Sequence, residues 1–310
     1  MHLRVTHPLL AAAVGLPARL VDRARRLLLL LALVMGVSAV VSADTLMLDP
    51  AQERQPLNQG LAYLVEQQPM TIGQLLRVPA DQWTPLEEGA NFGYTDRGFW
   101  YRLRLRNPTE QPIERLLEIA YPLLDHVEFY DVSDGQLRVS HVTGDTKRFS
   151  QRPITDRNFV FPLELAAGAQ HDIYLRVKTA GAQQLPLNLW EERAFHRASA
   201  AGLVGRAMFY GMLLVMAAYN LFLYFSLRER AYLYYVLVIV STYVLMGSLH
   251  GFNFQYLYPN LPWLHEMVIL LAVPLCQIVL CLFTMEFLSL SSKRPGWHKL
   301  FRVLIGLAGL

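Results

Sequence analysis

Three long apolar runs near the C-terminal end constrain the fold of this chain more than any other feature. They cover about 202–227, 231–249 and 267–290, and each is close to the roughly 20 residues that an α-helix needs to cross a bilayer. A fourth run begins at 300 and reaches 310. A chain that ended inside a membrane would leave backbone carbonyls unsatisfied. We therefore expect residues 200–310 to form a transmembrane helix bundle, and the sequence to be a fragment that stops within a fourth helix.

Basic residues orient these runs. Arg228 and Arg230 separate the first two runs, and three more basic residues lie within 291–299, whereas the loop 250–266 has no Lys or Arg. Basic loops stay on the cytoplasmic side of a membrane. The pattern therefore places residue 200, and the region before it, on the outer side.

The N-terminal region predicts the same orientation. Four arginines between positions 19 and 26 precede an apolar run over 27–41, which ends in the small residues Ser42 and Ala43. This order is typical of a secretory signal. We interpret residues 1–43 as a signal peptide or signal anchor, and 44–199 as a periplasmic domain of a multi-pass protein of the cell inner membrane.

Charge and cysteine content exclude several classes of function. Residues 44–199 hold 16 Lys and Arg against 21 Asp and Glu, so they lack the basic excess that nucleic-acid binding requires. The two cysteines, Cys276 and Cys281, lie in an apolar run without further metal ligands nearby, which argues against zinc. We predict no metal, no cofactor and no nucleic-acid partner.

The region 44–199 has the pattern of a strand-rich domain. Over 99–106, aromatic and leucine residues at odd positions alternate with Trp100 and arginines at even positions, which is the period of a β-strand. Asp134-Gly135 is a hairpin signal. Residues 71–86 predict a short helix or a turn. Several short strands at about ten-residue spacing favour an all-β jelly roll or β-sandwich. Further strands are predicted at 115–120, 126–130, 136–142, 158–163, 171–179 and 185–189.

Catalytic signatures are missing from the sequence. His265-Glu266 begins like a zinc-protease motif, but Ile269 stands where the second histidine is needed. There is no G-x-S-x-G motif, no phosphate-binding P-loop and no dinucleotide fingerprint. We therefore do not expect this fragment to be an enzyme.

Candidate ligand-binding residues are flat aromatic rings accompanied by charged groups, a combination that suits a small polar or carbohydrate-like ligand. The alternative is that the strand arginines are simply solvated and that Trp100 caps the core. Asp131 and Asp134 could help bind calcium, although turn formation already explains them. The predicted ligand residues are Trp100, Arg102, Tyr121, Asp125, Tyr130 and Arg152.

Two polar residues lie inside the apolar runs. Asn220 could hydrogen-bond between helices, and we predict a role in helix packing. Glu286 lies near the cytoplasmic end of its run, where it could reach the membrane interface.

Seven short motifs follow one another along the chain: FWYRLRLRN (99–107), EIAYPLLDHVEFY (118–130), TGD (143–145), FVFPL (159–163), YNL (219–221), YLYY (232–235) and LYP (257–259). In this order they resemble the motifs of the bacterial seven-transmembrane receptors with diverse intracellular signalling modules, whose periplasmic sensor domain is of the DISMED2 type. The resemblance implies a jelly-roll ectodomain related to carbohydrate-binding modules, seven helices, and a cytoplasmic output such as a histidine kinase or a diguanylate cyclase. It matches Trp100, Tyr121 and Asp125 to family positions.

These observations lead to one main functional hypothesis. The chain would be an inner-membrane signal-transduction receptor that binds a small polar or carbohydrate-like ligand on the outer side. Binding would favour one arrangement of the transmembrane helices through a hinge near 190–202, and the helices would in turn control a cytoplasmic output domain. A homodimer or a second receptor would be a further partner. The first alternative is a membrane protein that docks another protein and has no small ligand. A further alternative is a transporter or an envelope enzyme, and the few intramembrane charges and the missing catalytic signatures argue against both.

Overall fold

The structure is a computed structural model that describes residues 45–57, 60–86 and 89–309. The predicted signal segment, 1–43, lies outside the described residues. The described part begins with β-strands and continues as helices, in the order that the sequence predicts.

The strand-rich region consists mainly of two sheets. The first has the order β4-β3-β6-β11-β8-β9, with β1 parallel to one end of β6, and the second has the order β10-β7-β13-β2. A separate pair joins β5 and β12. The strands are β1 Leu46–Met47, β2 Arg54–Pro56, β3 Leu61–Val65, β4 Thr84–Pro85, β5 Asn91–Tyr94, β6 Phe99–Arg106, β7 Ile113–Ile119, β8 His126–Ser133, β9 Gln136–Thr143, β10 Phe159–Leu165, β11 Gln170–Lys178, β12 Ala182–Gln184 and β13 Leu187–Trp190.

The two sheets pack face to face around one apolar core. Phe129 of the first sheet stacks on Phe161 of the second, with ring centroids 4.5 Å apart. In β6, the odd-numbered residues of 99–105 all belong to this core, because alternate side chains of a strand point to the same face. The predicted β-sandwich followed by transmembrane helices is confirmed; the jelly-roll form of the sandwich stays a prediction.

The predicted hairpin turn is present between β8 and β9. Ser133 pairs with Gln136, so Asp134 and Gly135 form a two-residue loop, and both have positive φ (52° and 73°). Two consecutive positive φ values characterise the type I′ turn, which matches the twist of the flanking strands.

The helical region contains three helices that are long and apolar enough to cross a membrane: Glu192–Leu227, Arg230–Leu249 and Pro262–Phe287. In chain order, the helices of the described residues are α1 Ile72–Leu75, α2 Glu192–Leu227, α3 Arg230–Leu249, α4 Phe252–Tyr256, α5 Pro262–Phe287, α6 Leu290–Lys293 and α7 Pro295–Ala308. Short 3-10 turns cover Ala80–Gln82 and Phe149–Gln151.

The first long helix begins earlier than its apolar run. α2 starts at Glu192 rather than near 202, and the side chain of Glu191 caps it by accepting a 2.7 Å hydrogen bond from the amide of Ala194. Its first turns are too polar to resemble a membrane span. They become helical because Phe195 packs on the outer face of the second sheet, against Leu116 and Val160.

Candidate functional site

The six predicted ligand residues lie in two separate places. One group is on the outer face of the first sheet: Trp100, Arg102 and Tyr130. The other is at the end of the sandwich near the transmembrane helices: Tyr121, Asp125 and Arg152. The structure therefore does not bring these six side chains together into one binding site.

Trp100 points to the outer face of the sheet, as predicted, but it is fully buried. Segment 70–83, which holds α1, covers it, and Leu75 and Trp83 pack in the same cluster. The guanidinium of Arg102 lies 4.6 Å from the ring centroid of Trp83, and burial followed by the nearby Arg104 charge lowers its pKa. Trp100 and Arg102 are therefore not open to solvent, because segment 70–83 turns this face into a second small core; a role of these two residues in ligand binding stays a prediction.

Beside this small core, an ion-pair network holds one end of the outer face. Arg176 binds Glu66 (Nη2–Oε2 2.9 Å) and Glu128 (Nη1–Oε1 2.6 Å). Burial by itself would raise the pKa of Glu128, but hydrogen bonds from His126, Tyr130 and Arg176 lower it to about 2. Burial and the hydrogen bond to Glu128 raise the pKa of Tyr130. Tyr130 is therefore a structural donor to Glu128.

None of the predictions from the sequence placed Glu66, Glu128 and Arg176 in one network. The alternation of His126, Glu128 and Tyr130 does place these three on one face of β8, which was an available signal. Glu66 had no local signal, because it is 110 positions from Arg176 and meets it only when β3, β6 and β11 are side by side.

A groove of about 510 Å³ lies along the segment that covers Trp100. Its lining combines four glutamine amides with apolar side chains, and Leu64, Met70 and Val78 of this lining also pack on the Trp100 cluster. Amides can donate and accept hydrogen bonds at the same time, so this surface suits a ligand with hydroxyl groups. The lining residues are Leu64, Val65, Gln67, Gln68, Pro69, Met70, Gln74, Val78 and Gln82.

Arg152 is buried at the end of the sandwich that meets the helical region. Its guanidinium lies 4.5 Å and 4.3 Å from the ring centroids of Phe149 and Phe159, and 5.8 Å from that of Phe254 in α4. Its Nη1 donates to the carbonyl oxygens of Asp156, Arg157 and Asn158. Burial lowers the pKa of Arg152 to about 10, so it remains charged at neutral pH and organises this loop.

Asp145 is the buried acid of the same region. One of its carboxylate oxygens, Oδ1, has no hydrogen-bond partner among the described residues. Burial is the main cause that raises its pKa to about 7; the Asp125 and Glu266 charges act in the same direction, and the Arg152 guanidinium acts in the opposite one. Its charge therefore changes near neutral pH.

Asp125 and Tyr121 lie in the loop that precedes β8. Asp125 accepts hydrogen bonds from the hydroxyl of Thr179 (3.1 Å) and the amide of Ala180 (2.8 Å), so it fixes a neighbouring loop. Tyr121 is half-buried and packs against the main core. Burial is the main cause that raises its pKa. Both side chains therefore have structural contacts at these positions.

The loop between α3 and α5 docks on the sandwich. Gly251 has φ +72°, and a Cβ there would lie 3.0 Å from Cβ of Pro122. Phe254 makes an edge contact with Phe149 (5.6 Å between ring centroids) and stacks on His265 of α5 (4.6 Å). This loop therefore joins the sandwich to the transmembrane helices.

A second connection runs through the backbone itself. A single residue, Glu191, separates the end of β13 at Trp190 from the start of α2. The indole of Trp190 donates to Glu118 (2.7 Å) and meets the ring of Phe195 at 6.1 Å. Residues 192–202 are helical, and Ala194 and Phe195 among them are buried, so the backbone passes from the sheet into α2 without a loop. The hinge expected near 190–202 stays a prediction.

Asn220 and Glu286, which the sequence analysis singled out, line one cavity of about 850 Å³ at the end of the helices away from the sandwich. Asn220 donates to the carbonyl of Met216 in its own helix (2.8 Å). This bond lies within α2 rather than between helices, so the role of Asn220 in packing stays a prediction.

The proposed calcium ligands have other roles. Asp131 is buried and pairs with Nδ1 of His171 at 2.7 Å, and Asp134 forms the β8–β9 turn. Within the described ranges, no group of three or more His, Cys, Asp or Glu is placed to hold a metal ion.

Two family models match the chain in succession. The model of the 7TMR-DISM extracellular 2 domain matches residues 58–191, and the model of the 7TM diverse intracellular signalling region matches 204–310. Neither model describes a catalytic domain. No curated protein sequence matches the chain.

Solved structures show only partial similarity. Ruminococcus gnavus β-glucuronidase is 17% identical, with a TM-score of 0.27, over 43% of this chain and 22% of that chain. Kluyveromyces marxianus β-glucosidase, solved in complex with glucose, is 13% identical, with a TM-score of 0.26, over 47% of this chain and 17% of that chain. The chain thus spans less than a quarter of either enzyme.

Proposed function

Since this chain belongs to the 7TMR-DISM family of membrane signalling receptors, we propose that its sandwich binds a small polar or carbohydrate-like ligand and that binding shifts the arrangement of the transmembrane helices. The sandwich would face the periplasm of an inner membrane, and the helices would control a cytoplasmic output domain. A ligand can do this only by binding one arrangement more tightly than the other.

One observation carries this proposal: the sandwich is joined to the helices at two points without a flexible linker. β13 continues into α2 after Glu191, and α4 packs on Phe149 and Arg152. A shift of the sandwich relative to either contact would therefore move α2 or the α3–α5 loop.

We propose the glutamine groove as the ligand site. Its volume of about 510 Å³ lies in the range of roughly 300–1,000 Å³ that small-molecule sites occupy. Gln67, Gln68 and Gln82 offer amides to hydroxyl groups, while Met70 and Val78 offer apolar contacts to C–H groups. Gln74 offers its NH2 group, since its Oε1 already accepts hydrogen bonds from Thr71. Trp100, Arg102 and Tyr130 would then support the floor of the site without touching the ligand.

The test is a thermal-unfolding screen of the whole chain in lipid nanodiscs against neutral sugars, cell-wall fragments and acidic metabolites. A compound that binds the folded state raises the melting temperature by mass action, corresponding to about 2.7 kcal/mol at 100 times its Kd. We expect hydroxyl-rich compounds to raise it, and Gln68→Ala/Gln82→Ala to reduce the rise. Gln170→Ala, an exposed glutamine at the start of β11, is the matched control and should keep the full rise.

The screen tests small-ligand sensing and the assignment of the ligand site to the groove separately. A folded chain that no compound stabilises would contradict small-ligand sensing. A compound that stabilises the wild type and the double glutamine variant equally would support sensing but contradict the groove.

A protein partner is the second candidate function, and one feature favours it. β9 is an edge strand of the first sheet, with Leu137 and Val142 each 48% exposed. Exposed edge strands can pair with a strand of another chain. A negative ligand screen, together with crosslinks from β9 to a second protein or a second copy in intact envelopes, would support this function instead.

A further inference from the structure

The outer boundary of the membrane can be located on α2. Between Arg206 and Arg228 this helix has 21 residues without a single Asp, Glu, Lys or Arg. At about 1.5 Å per residue they span about 32 Å, close to the roughly 30 Å of a hydrocarbon core. With Arg228 at the cytoplasmic side, Arg206 lies at the level of the outer headgroups.

Two other basic groups lie at the same level. α3 runs back across the membrane from Arg230 and ends at Leu249, so His250 is at the outer boundary. Nη1 of Arg157, from the sandwich, donates to the carbonyl of His250 at 3.4 Å. Burial, followed by the Arg157 and Arg206 charges, lowers the pKa of His250. Two guanidiniums therefore approach a neutral imidazole at the headgroup level.

Arg157 and Arg206 line one small cavity of about 120 Å³ between the sandwich and α2. The carboxylates in its wall already accept other hydrogen bonds: Asp156 from the amide of Asn158 and the hydroxyl of Ser199, and Glu118 from Trp190. Nε of Arg206 is buried without a hydrogen-bond partner. Over residues 45–57, 60–86 and 89–309, neither arginine forms an ion pair.

We propose that Arg157 and Arg206 together bind a phosphate group at the outer boundary of the membrane, either the phosphodiester of a phospholipid headgroup or free inorganic phosphate. Guanidinium groups bind phosphate oxygens through paired N–H donors, and arginines at the ends of membrane-spanning stretches extend to the headgroup level. The cavity is too small for a sugar, since ligand pockets begin at about 300 Å³. The bound phosphate would connect the sandwich to the first transmembrane helix, independently of any ligand in the glutamine groove.

The test uses the whole chain in a phosphate-free maltoside detergent and measures its melting temperature. Three probes are added separately: dihexanoyl phosphatidylglycerol, inorganic phosphate, and dihexanoyl glycerol, which has the same acyl chains but no phosphate. We expect the melting temperature to rise with one or both phosphate compounds and to stay unchanged with dihexanoyl glycerol. A rise with the phospholipid alone assigns the site to lipid, and a rise with inorganic phosphate assigns it to the free anion.

Variants of the two arginines test whether Arg157 and Arg206 bind the phosphate compound that raises the melting temperature. Arg157→Gln/Arg206→Gln should weaken the apparent affinity by roughly 100-fold, about tenfold for each charged hydrogen-bonding partner lost. Arg138→Gln, an exposed arginine on β9, should leave it unchanged. If the double glutamine variant does not fold, Arg157→Lys/Arg206→Lys replaces it, and the loss of the paired donors should still weaken binding. Equal affinity in wild type and double variant, or a rise with dihexanoyl glycerol, would overturn the proposal.

Discussion

The backbone amide of Phe149 in the sandwich donates a 2.9 Å hydrogen bond to the carbonyl of Pro259, in the loop between the second and third long helices. This bond joins the two regions directly through their backbones, so among substitutions at position 149 only proline removes the donor. The same loop is anchored to α3, since the side-chain Nδ2 of Asn253 donates to the carbonyl of Val244 at 2.9 Å. The loop is therefore a fixed connection whose strength depends on the side chains around it.

Phe254→Ala should weaken this connection. The ring of Phe254 is buried between Phe149, His265 and the Arg152 guanidinium, and removing a buried phenylalanine costs about 3–5 kcal/mol. We expect faster proteolysis within 250–261 and a lower melting temperature in nanodiscs. Phe222→Ala, whose ring is 66% exposed on α2, is the control. Similar effects of the two variants would contradict a specific role for Phe254.

Gly251→Ala should displace the loop from the sandwich. Gly251 has φ +72°, and the added Cβ would lie 3.0 Å from Pro122, so both backbone strain and close contact oppose alanine. We expect a loss of about 1 kcal/mol or more in unfolding free energy and weaker protection of loop amides in hydrogen exchange. Gly205→Ala, in α2 with open space around it, should be neutral or stabilising. An unchanged exchange pattern in Gly251→Ala would show that the loop tolerates the change.

Asp145 should make the stability of the contact between the sandwich and the α3–α5 loop depend on pH. Its pKa is raised from 3.8 to about 7, so between these values the folded state holds a proton that the unfolded state has lost. The contribution of Asp145 to stability is therefore greatest below about pH 4, falls as the pH rises towards 7, and then levels off, a change of a few kcal/mol at most. The measurement is the melting temperature from pH 4 to pH 8.

Asp145→Asn should remove most of this pH dependence, because the asparagine amide stays neutral from pH 4 to pH 8. It should also stabilise the contact between the sandwich and the α3–α5 loop at pH 8. Asp134→Asn, at an exposed turn position that also suits asparagine, should keep the wild-type slope. A slope in Asp145→Asn as steep as in the wild type would assign the pH dependence to another group.

Arg176→Met should destabilise the sandwich more than its partial exposure suggests. It would leave Glu66 and Glu128 without their shared guanidinium (2.9 and 2.6 Å), and breaking a buried ion pair costs about 3–5 kcal/mol. Adding Glu66→Gln and Glu128→Gln should recover much of the loss, since the orphaned charges are removed. Urea unfolding followed by tryptophan fluorescence measures both, and a triple variant no more stable than Arg176→Met would contradict this explanation.

The sequence predicted the sheets well where the pattern was local. The alternation of 99–106 correctly separated Phe99 and Tyr101 from Trp100 on opposite faces of the sheet, and Asp134-Gly135 correctly marked a hairpin. It could not show that segment 70–83 would cover Trp100, because that contact joins β6 to residues far away in the chain. For this reason the sequence did not show that Trp100 and Arg102 are buried, although it predicted correctly that the side chains of 99–106 alternate between two faces.

The start of α2 was missed for a different physical reason. A hydropathy pattern detects residues that prefer lipid, whereas residues 192–202 become helical through contacts with the sheet, above all that of Phe195 with Leu116. Likewise, no sequence pattern placed Arg157 beside Arg206, since one belongs to a sandwich loop and the other to a transmembrane helix.

The uninterrupted passage from β13 into a helix of 36 residues has a mechanical consequence. At about 1.5 Å per residue this helix is about 54 Å long, so it can act as a lever with its fulcrum at the sandwich. A tilt of about 5° at Glu191 would displace its cytoplasmic end by about 5 Å, comparable to one helical turn. A small rotation at the start of α2 would therefore produce a larger displacement at the opposite side of the membrane.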